Sequence, residues 1–326
     1  MQLRTFAAMA SALALGLSAA SWAYGQAAPW PDKPIKLIVP TAPAGPTDTL
    51  GRYIGERLAQ ALKQSVVVEN KPGVNGTLGI DAVAKSAPDG HTLLFTYAAS
   101  IAVNPGLYPK LPYDTLRDLA PIGQVGHVGN ILVVTPDLPI HDVKDLIAYA
   151  KARPGQLSYG SWGNGSGGHL TMESLQAHAG LKMQHVPYKG VAPLVNDMLG
   201  GVVKIAFVDA GSQLAMFKAG KLRPIAVSGP RQPELSELRT LPEQGVPFDT
   251  ASWYGLFAPA KTPAPILQRL NVELNRLLST PEFQTRLRQF NTPDGPRATP
   301  EEFRHRVETD MAVWKKIIVA ADVKID

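Results

Sequence analysis

Two glycine- and proline-rich loops hold the residues of this 326-residue chain best suited to chemistry. PTAPAGPTD, Pro40 to Asp48, follows the apolar run Ile35-Lys36-Leu37-Ile38-Val39. SWGNGSGGHL, Ser161 to Leu170, follows Leu157-Ser158-Tyr159. Each precedes an amphipathic stretch, Thr47 to Leu62 and His169 to Ala179. At a strand-to-helix turn, glycine lets the backbone approach a ligand and turn its N–H groups inward. The helix that follows adds about half a positive charge at its start. A carboxylate or phosphate can be held there without any arginine.

Other chemistry is excluded residue by residue. Gly163, Gly165 and Gly168 match G-x-G-x-x-G, but no acidic residue stands about twenty positions on to take a ribose hydroxyl, where the chain reads His185-Val186-Pro187-Tyr188. Asn164, not glycine, precedes Ser166 by two, so the serine-hydrolase elbow is absent. His169 and Glu173 lie one helical turn apart without a second histidine on that face, which argues against a metal. With no cysteine there is no disulfide framework, no Cys-based zinc site and no thiol nucleophile. The expectation is therefore no catalytic residue, no metal and no cofactor. Asp48 opens a helix, where either the dipole or a ligand accounts for it.

These loops need a scaffold of parallel strands. Val66–Glu69 and Leu93–Thr96 read as further strands, Gly76–Lys85 as a helix, and the βαβαβ rhythm predicts a doubly wound, mainly parallel sheet. The second half repeats it with a helix over Asp142–Ala152 and strands at Val186, Ile205–Phe207 and Ile225–Val227. Ile131–Val134 and Ser252–Ala258 are the expected crossings between two α/β lobes. Helices over Ile266–Leu278 and Pro300–Ile318 close the chain, the latter started by Thr299 as N-cap with Pro300 at N1. The 45% hydrophobic and 18% charged composition fits a folded protein of about two domains. Basic residues are interspersed with acidic ones at a net +5, so no stripe suits nucleic acid.

At the N-terminus, Arg4 precedes an Ala/Leu-rich run from Phe6 to Leu17 and then Ser21-Trp22-Ala23. About twelve apolar residues are too few to span a bilayer, which needs ~20. Residues 1–27 are expected to be a Sec-type signal peptide cleaved near Ala23 or Ala27, the alternative being a buried N-terminal helix. Export implies the periplasm, away from nicotinamide cofactors, and a protein not inserted in the membrane.

The ordered run VPTAPAGPTD, VENKPGVNGTLG, PDGHTLLF, NPGLYPKLPYD, SYGSWGNGSGGHL, HVPYKG, AGKLRPIAVSGPR and WYGLFAPAKTPAPI resembles the Bug or TctC-type substrate-binding proteins of tripartite tricarboxylate transporters. The resemblance implies a two-lobed type II periplasmic binding protein with its ligand cleft between the lobes. Lobe 1 is then 28–130 and 252–326, and lobe 2 is 131–251. It also implies a monomer that captures a small organic acid (C4-dicarboxylate, citrate-like, aromatic or amino-acid-like) and delivers it to the transporter's membrane subunits. A sensor feeding a two-component system is the alternative, and a secreted hydrolase using the same cleft a more distant one.

Carried onto this chain, the resemblance makes Thr41, Ala44, Gly45, Thr47 and Asp48 the lobe-one contacts. Ser161, Trp162, Gly163, Gly165, Ser166 and His169 are those of lobe two, with Asn164 shaping the turn. Asp209 either faces the cleft as an acceptor or is a surface turn residue. Two positions depart from the family pattern. Ala44-Gly45 stands where Gly-Gly is usual, which is harmless if Ala44 takes ordinary angles. Trp162 replaces a small residue and either stacks on a planar solute, shrinks the cavity, or packs into the lobe interface.

Overall fold

Apolar runs buried on both faces form the strands, and the stretches between them form helices that cover those faces. The structure, a computed structural model, describes residues 30–248, 252–290, 292 and 297–323, with backbone alone for residues 128 and 209–212. The expected signal peptide, 1–27, lies outside the described residues. In chain order come β1 (Ile35–Val39), α1 (Pro46–Leu62), β2 (Val66–Asn70), α2 (Thr77–Ala84) and β3 (Thr92–Tyr97). β1 pairs in parallel with both β2 and β3, as the rhythm predicts.

β4 (Leu119–Val128) and β5 (Asn130–Val134) follow, joined by Gly129 alone, and then α3 (Val143–Lys151). The second unit is β6 (Ser158–Ser161), α4 (Gly167–Ala179), β7 (Gln184–Pro187), α5 (Val191–Leu199), β8 (Ile205–Asp209), α6 (Ala210–Lys218) and β9 (Arg223–Val227). β10 (Ser252–Pro259), α7 (Ala264–Leu278), α8 (Pro281–Gln289) and α9 (Pro300–Ala320) complete the chain.

Two five-stranded sheets result, ordered β2-β1-β3-β10-β4 and β7-β6-β8-β5-β9. The order is the same in both, and in each the fourth strand runs antiparallel to its two neighbours. Those two strands, β10 and β5, are the ones that enter from the other half of the chain, at the places read as crossings. Parallel strands expect a crossover helix on the same sheet, and an element arriving from the other sheet is free of that constraint.

β4 was not legible in the sequence. Pro121, Gly123 and Gly126 interrupt it, and all are tolerated because β4 is an edge strand. At Gly123 a Cβ would stand 2.9 Å from Leu274 of α7, so the glycine admits the covering helix. Gly129 is likewise needed for space, since a Cβ there would lie 2.6 Å from Val227 and 2.8 Å from Gln232.

α9 starts as the sequence predicts, with a capping box between Thr299 and Glu302. Its Phe303 and Val307 pack with Ile38, Leu94, Trp253 and Phe257 against the first sheet. Farther along, Trp314 and Ile318 join Leu132, Tyr159 and Phe207 of the second sheet. One helix therefore packs on both halves. Asp310 fixes its register: 1% exposed, it accepts from the Trp253 indole N–H at 2.7 Å and from Arg306 Nε at 2.9 Å.

Replacing Asp310 by Ala leaves a buried indole donor and a guanidinium without their acceptor. The expected cost is about 2–4 kcal/mol, or about 3–6 °C in Tm for a chain of this length. Asp310→Asn keeps an acceptor for Trp253 and should lose less than half of that. Thermal unfolding checks both, and an Ala variant within 2 °C of the parent would refute the assigned role.

Candidate functional site

The first loop is held from behind. Asp48, 2% exposed, accepts the Ala44 N–H at 2.9 Å, Arg52 Nε at 3.0 Å and Asn70 Nδ2 at 2.8 Å. Asn70, the last residue of β2, also donates to the Thr41 carbonyl at 3.0 Å and accepts from Arg52 at 2.8 Å. Burial disfavours the Asp48 charge, but the hydrogen bonds from Arg52, Asn70 and Ala44 outweigh it and keep the carboxyl below the usual aspartate range. Asp48 thus braces the loop and is not among the residues that line the cavity in front of it.

Ala44 does not take the ordinary angles that would make it a neutral replacement for glycine. Its φ is +66°, in the left-handed region, at a roughly 1–2 kcal/mol disadvantage for a residue with a Cβ. The Asp48 carboxylate, by accepting the Ala44 amide, offsets that strain. No side chain caps α1, whose N-cap is Gly45. The Thr47 and Asp48 amides and the Thr47 hydroxyl have no partner among the described residues.

The second loop is braced by histidines. Ser161 Oγ donates to the Gly163 carbonyl at 3.0 Å, accepts the Gly163 N–H at 3.2 Å and lies 2.6 Å from His185 Nε2. His169 Nδ1 accepts the Gly165 N–H at 3.0 Å, so in this arrangement that nitrogen carries no proton. The two imidazoles stack at 3.7 Å and 9°, with Tyr159 stacked on His185 at 5.0 Å. Tyr159 in turn donates to Glu173. Gly163 and Gly165 sit at φ +143° and +69°, open to glycine with little strain. Ser166 caps α4 through the His169 amide, which leaves the Gly167 and Gly168 amides without a partner among the described residues.

Burial, reinforced by the neighbouring His185, pushes His169 down to about 3, and burial pushes His185 down to about 4. Both rings are therefore neutral at physiological pH. His169, expected at the ligand, instead shapes the loop from behind.

Between the loops lies a cavity of about 440 Å³. Of the residues expected to contact a ligand, Thr41, Thr47, Trp162, Gly163 and Ser166 line it, and so does Asn164. Ala44, Gly45, Ser161 and Gly165 belong to the same two loops but are not among its lining residues. Asp209 pairs with Asn130 at the end of β8, and its side chain lies outside the described residues.

Several lining residues were missed. Ser252 and Tyr254 alternate along β10 with buried Trp253 and Gly255, a period-two signal that could have placed them. Tyr97 stands directly opposite Tyr254 on β3, and Asn75 accepts the Tyr97 hydroxyl at 3.1 Å. Asn130 opens β5 at the crossing; it is 7% exposed, and its side-chain amide has no partner among the described residues. Beneath, a cavity of about 20 Å³ shares Asn130 and Ser252 with the larger one and reaches Trp314 of α9. No lining residue described here is Lys, Arg, His, Asp or Glu, and the described residues contain no cluster of acidic or histidine side chains that could hold a metal.

Two expectations follow. Ala44→Gly relieves a left-handed residue while freeing the unfolded chain, for a net gain of about 0.5–1 kcal/mol. Thermal unfolding should show a rise of about 2 °C. The second concerns acid. Once unfolded, His169 and His185 protonate near pH 6.5, whereas the folded rings resist until about 3 and 4. Their contribution is full above pH 6.5 and is lost as the pH falls toward those lower values. Tm should therefore decline between pH 6.5 and 4.5, and His185→Asn should flatten the decline; an unchanged slope would place the acid sensitivity elsewhere.

Known proteins resemble this chain in sequence and in fold. Residues 50–322 match the family described as tripartite tricarboxylate transporter family receptor. Protein BugT of Bordetella pertussis is 36% identical over 91% of this chain and 91% of its own. The solved structure of R. palustris Rpa4515 with adipate is 35% identical, with a TM-score of 0.79 over 90% of this chain and 99% of the other. MatC from Rhodopseudomonas palustris, with bound malate, is 28% identical, with a TM-score of 0.74 over 89% and 100%. By the extent of these matches and the two-lobed α/β fold they share, the chain belongs to the TctC, or Bug, family of solute-binding receptors.

Proposed function

We propose that this protein captures an organic carboxylate between its two loops and delivers it to the membrane subunits of a tripartite tricarboxylate-type transporter. One observation carries the reading. Two helix starts, one following each sheet, bring unpartnered backbone amides to a common cavity, with Thr47 and Gly167 among its lining residues and no Lys, Arg, His, Asp or Glu among those described. Such a site attracts an anion through N–H donors and helix charge. The Thr47 hydroxyl and the Asn130 amide add donors. Each charge-assisted hydrogen bond contributes on the order of 1.5–3 kcal/mol, so a few of them reach micromolar affinity, about 8 kcal/mol. The adipate and malate held by two relatives support a carboxylate over a phosphate.

On this reading residues 1–27 direct export and are removed, and the receptor works in the periplasm. No helix among the described residues is long and apolar enough to cross a membrane. Residues 28–130 and 252–326 act as one lobe and 131–251 as the other, with α9 lying across both. Closure pivots where the chain crosses, at Gly129 and before Ser252, and the ligand shifts an open–closed equilibrium.

Thermal unfolding of the exported protein against carboxylic acids and their matched amides tests the carboxylate. A true ligand at 100 times its Kd adds about 2.7 kcal/mol, a rise of a few degrees in Tm. An acid that stabilises while its amide does not is the expected result. Failure of every acid on ligand-free protein would overturn the reading.

A further inference from the structure

We propose that the cleft selects a planar acid with a single carboxylate, and that Trp162, seated on Gly168, is the residue that sets this preference. The inference rests on the receptor reading and adds to it the class of solute.

Trp162 follows β6 directly, and its indole lies on the first turn of α4. A Cβ at Gly168 would stand 2.4 Å from Cζ3 and 2.9 Å from Cε3 and Cη2 of the ring, and one at Gly167 would stand 3.5 Å from Cζ2. Only a hydrogen fits beneath the ring at position 168. The indole is therefore held beside the two glycines whose amides are free, with one side packed on the core cluster and the other lining the cavity. An apolar wall here excludes water from the anion end and strengthens its hydrogen bonds.

The first sheet contributes Tyr97 and Tyr254, which face each other across β3 and β10 and so share one face. Aromatic side chains thus line the cavity from both sheets, a geometry suited to a flat body. The polar groups at this far end do not suit a second carboxylate. Tyr97 spends its proton on Asn75 Oδ1, and Asn75 donates its own amide to Asn104 at 2.6 Å. Around Asn75 these bonds leave the lone pairs of Asn75 Oδ1 and the Tyr97 hydroxyl beside one amide N–H, and no cation among the described lining residues adds to them. A second ionised carboxylate there would lose its water without the helix-start amides that hold the first. Asn130, more than nine-tenths buried and without a protein partner among the described residues, remains a donor for the one carboxylate.

Titration calorimetry on the exported protein with benzoate, trans-cinnamate, adipate and malate tests this, using Trp162→Ser, Gly168→Ala and the double variant. The parent should bind at least one of the aromatic acids about 10-fold or more tighter than either dicarboxylate. Trp162→Ser should lower aromatic-acid affinity about 10-fold and leave the dicarboxylates within about 3-fold. Gly168→Ala, which displaces the indole, should act in the same direction, and the double variant should lose no more than Trp162→Ser alone. Thermal unfolding confirms that each variant is folded, and Trp162→Phe, which keeps a ring, serves if the serine variant is not. A parent that prefers adipate or malate, or variants that weaken all acids equally, overturns the inference and leaves the receptor reading standing. If no carboxylate binds the parent, both fall.

Discussion

The structure depends on keeping a few backbone N–H groups unpaired at the front of two loops while everything behind them is paired. An unsatisfied amide inside a protein is costly, so folded chains ordinarily supply it with a cap or a carbonyl. Here α1 has no side-chain cap, and the Ser166 cap of α4 serves only the third amide. The open amides survive because they face a cavity, where water or a ligand can reach them. The loops are kept from collapsing onto these amides by the bonds that commit Asp48, Asn70, Ser161 and His169 behind them.

That commitment is achieved by different chemistry in the two halves. In the first loop it is ionic: Asp48 gathers an amide, an amide side chain and a guanidinium, and its charge is stabilised by all three. In the second it is neutral, through stacked imidazoles that accept from Gly165 and meet Ser161 while buried among Tyr159 and the core. Neutrality matters there, because a protonated His169 would lose its lone pair for the Gly165 amide. Neither brace places a cation where it would fill the anion position in advance.

The chain passes from the first half to the second through Gly129 and returns before Ser252, and α9 packs on the first sheet through Phe303 and on the second through Trp314. Asn130 sits next to the crossing and at the floor of the cleft, and the small cavity beneath it extends to Trp314. The site is thus continuous with the elements that join the two sheets.

Much of this was legible in the residues. Periodicity placed strands of both βαβαβ units and the crossings at Ile131 and Ser252, since buried central strands such as Ile131–Val134 are uninterrupted apolar runs. Glycine spacing marked both loops, and Thr299-Pro300-Glu301-Glu302 marked the start of α9, because these signals depend on local backbone chemistry. β4 was illegible because Pro121 and Gly123 mimic a loop and are permitted only by an edge position and a covering helix. Sequence identified Asp48, His169 and Trp162 as notable but could not tell brace from wall. The side a residue faces depends on what packs behind it: Asn70 from β2, His185 from β7, Gly168 one turn into α4. Asn130, Tyr97 and Tyr254 meet only when strands distant in the chain are brought together, so their place at the site is a property of the tertiary structure alone.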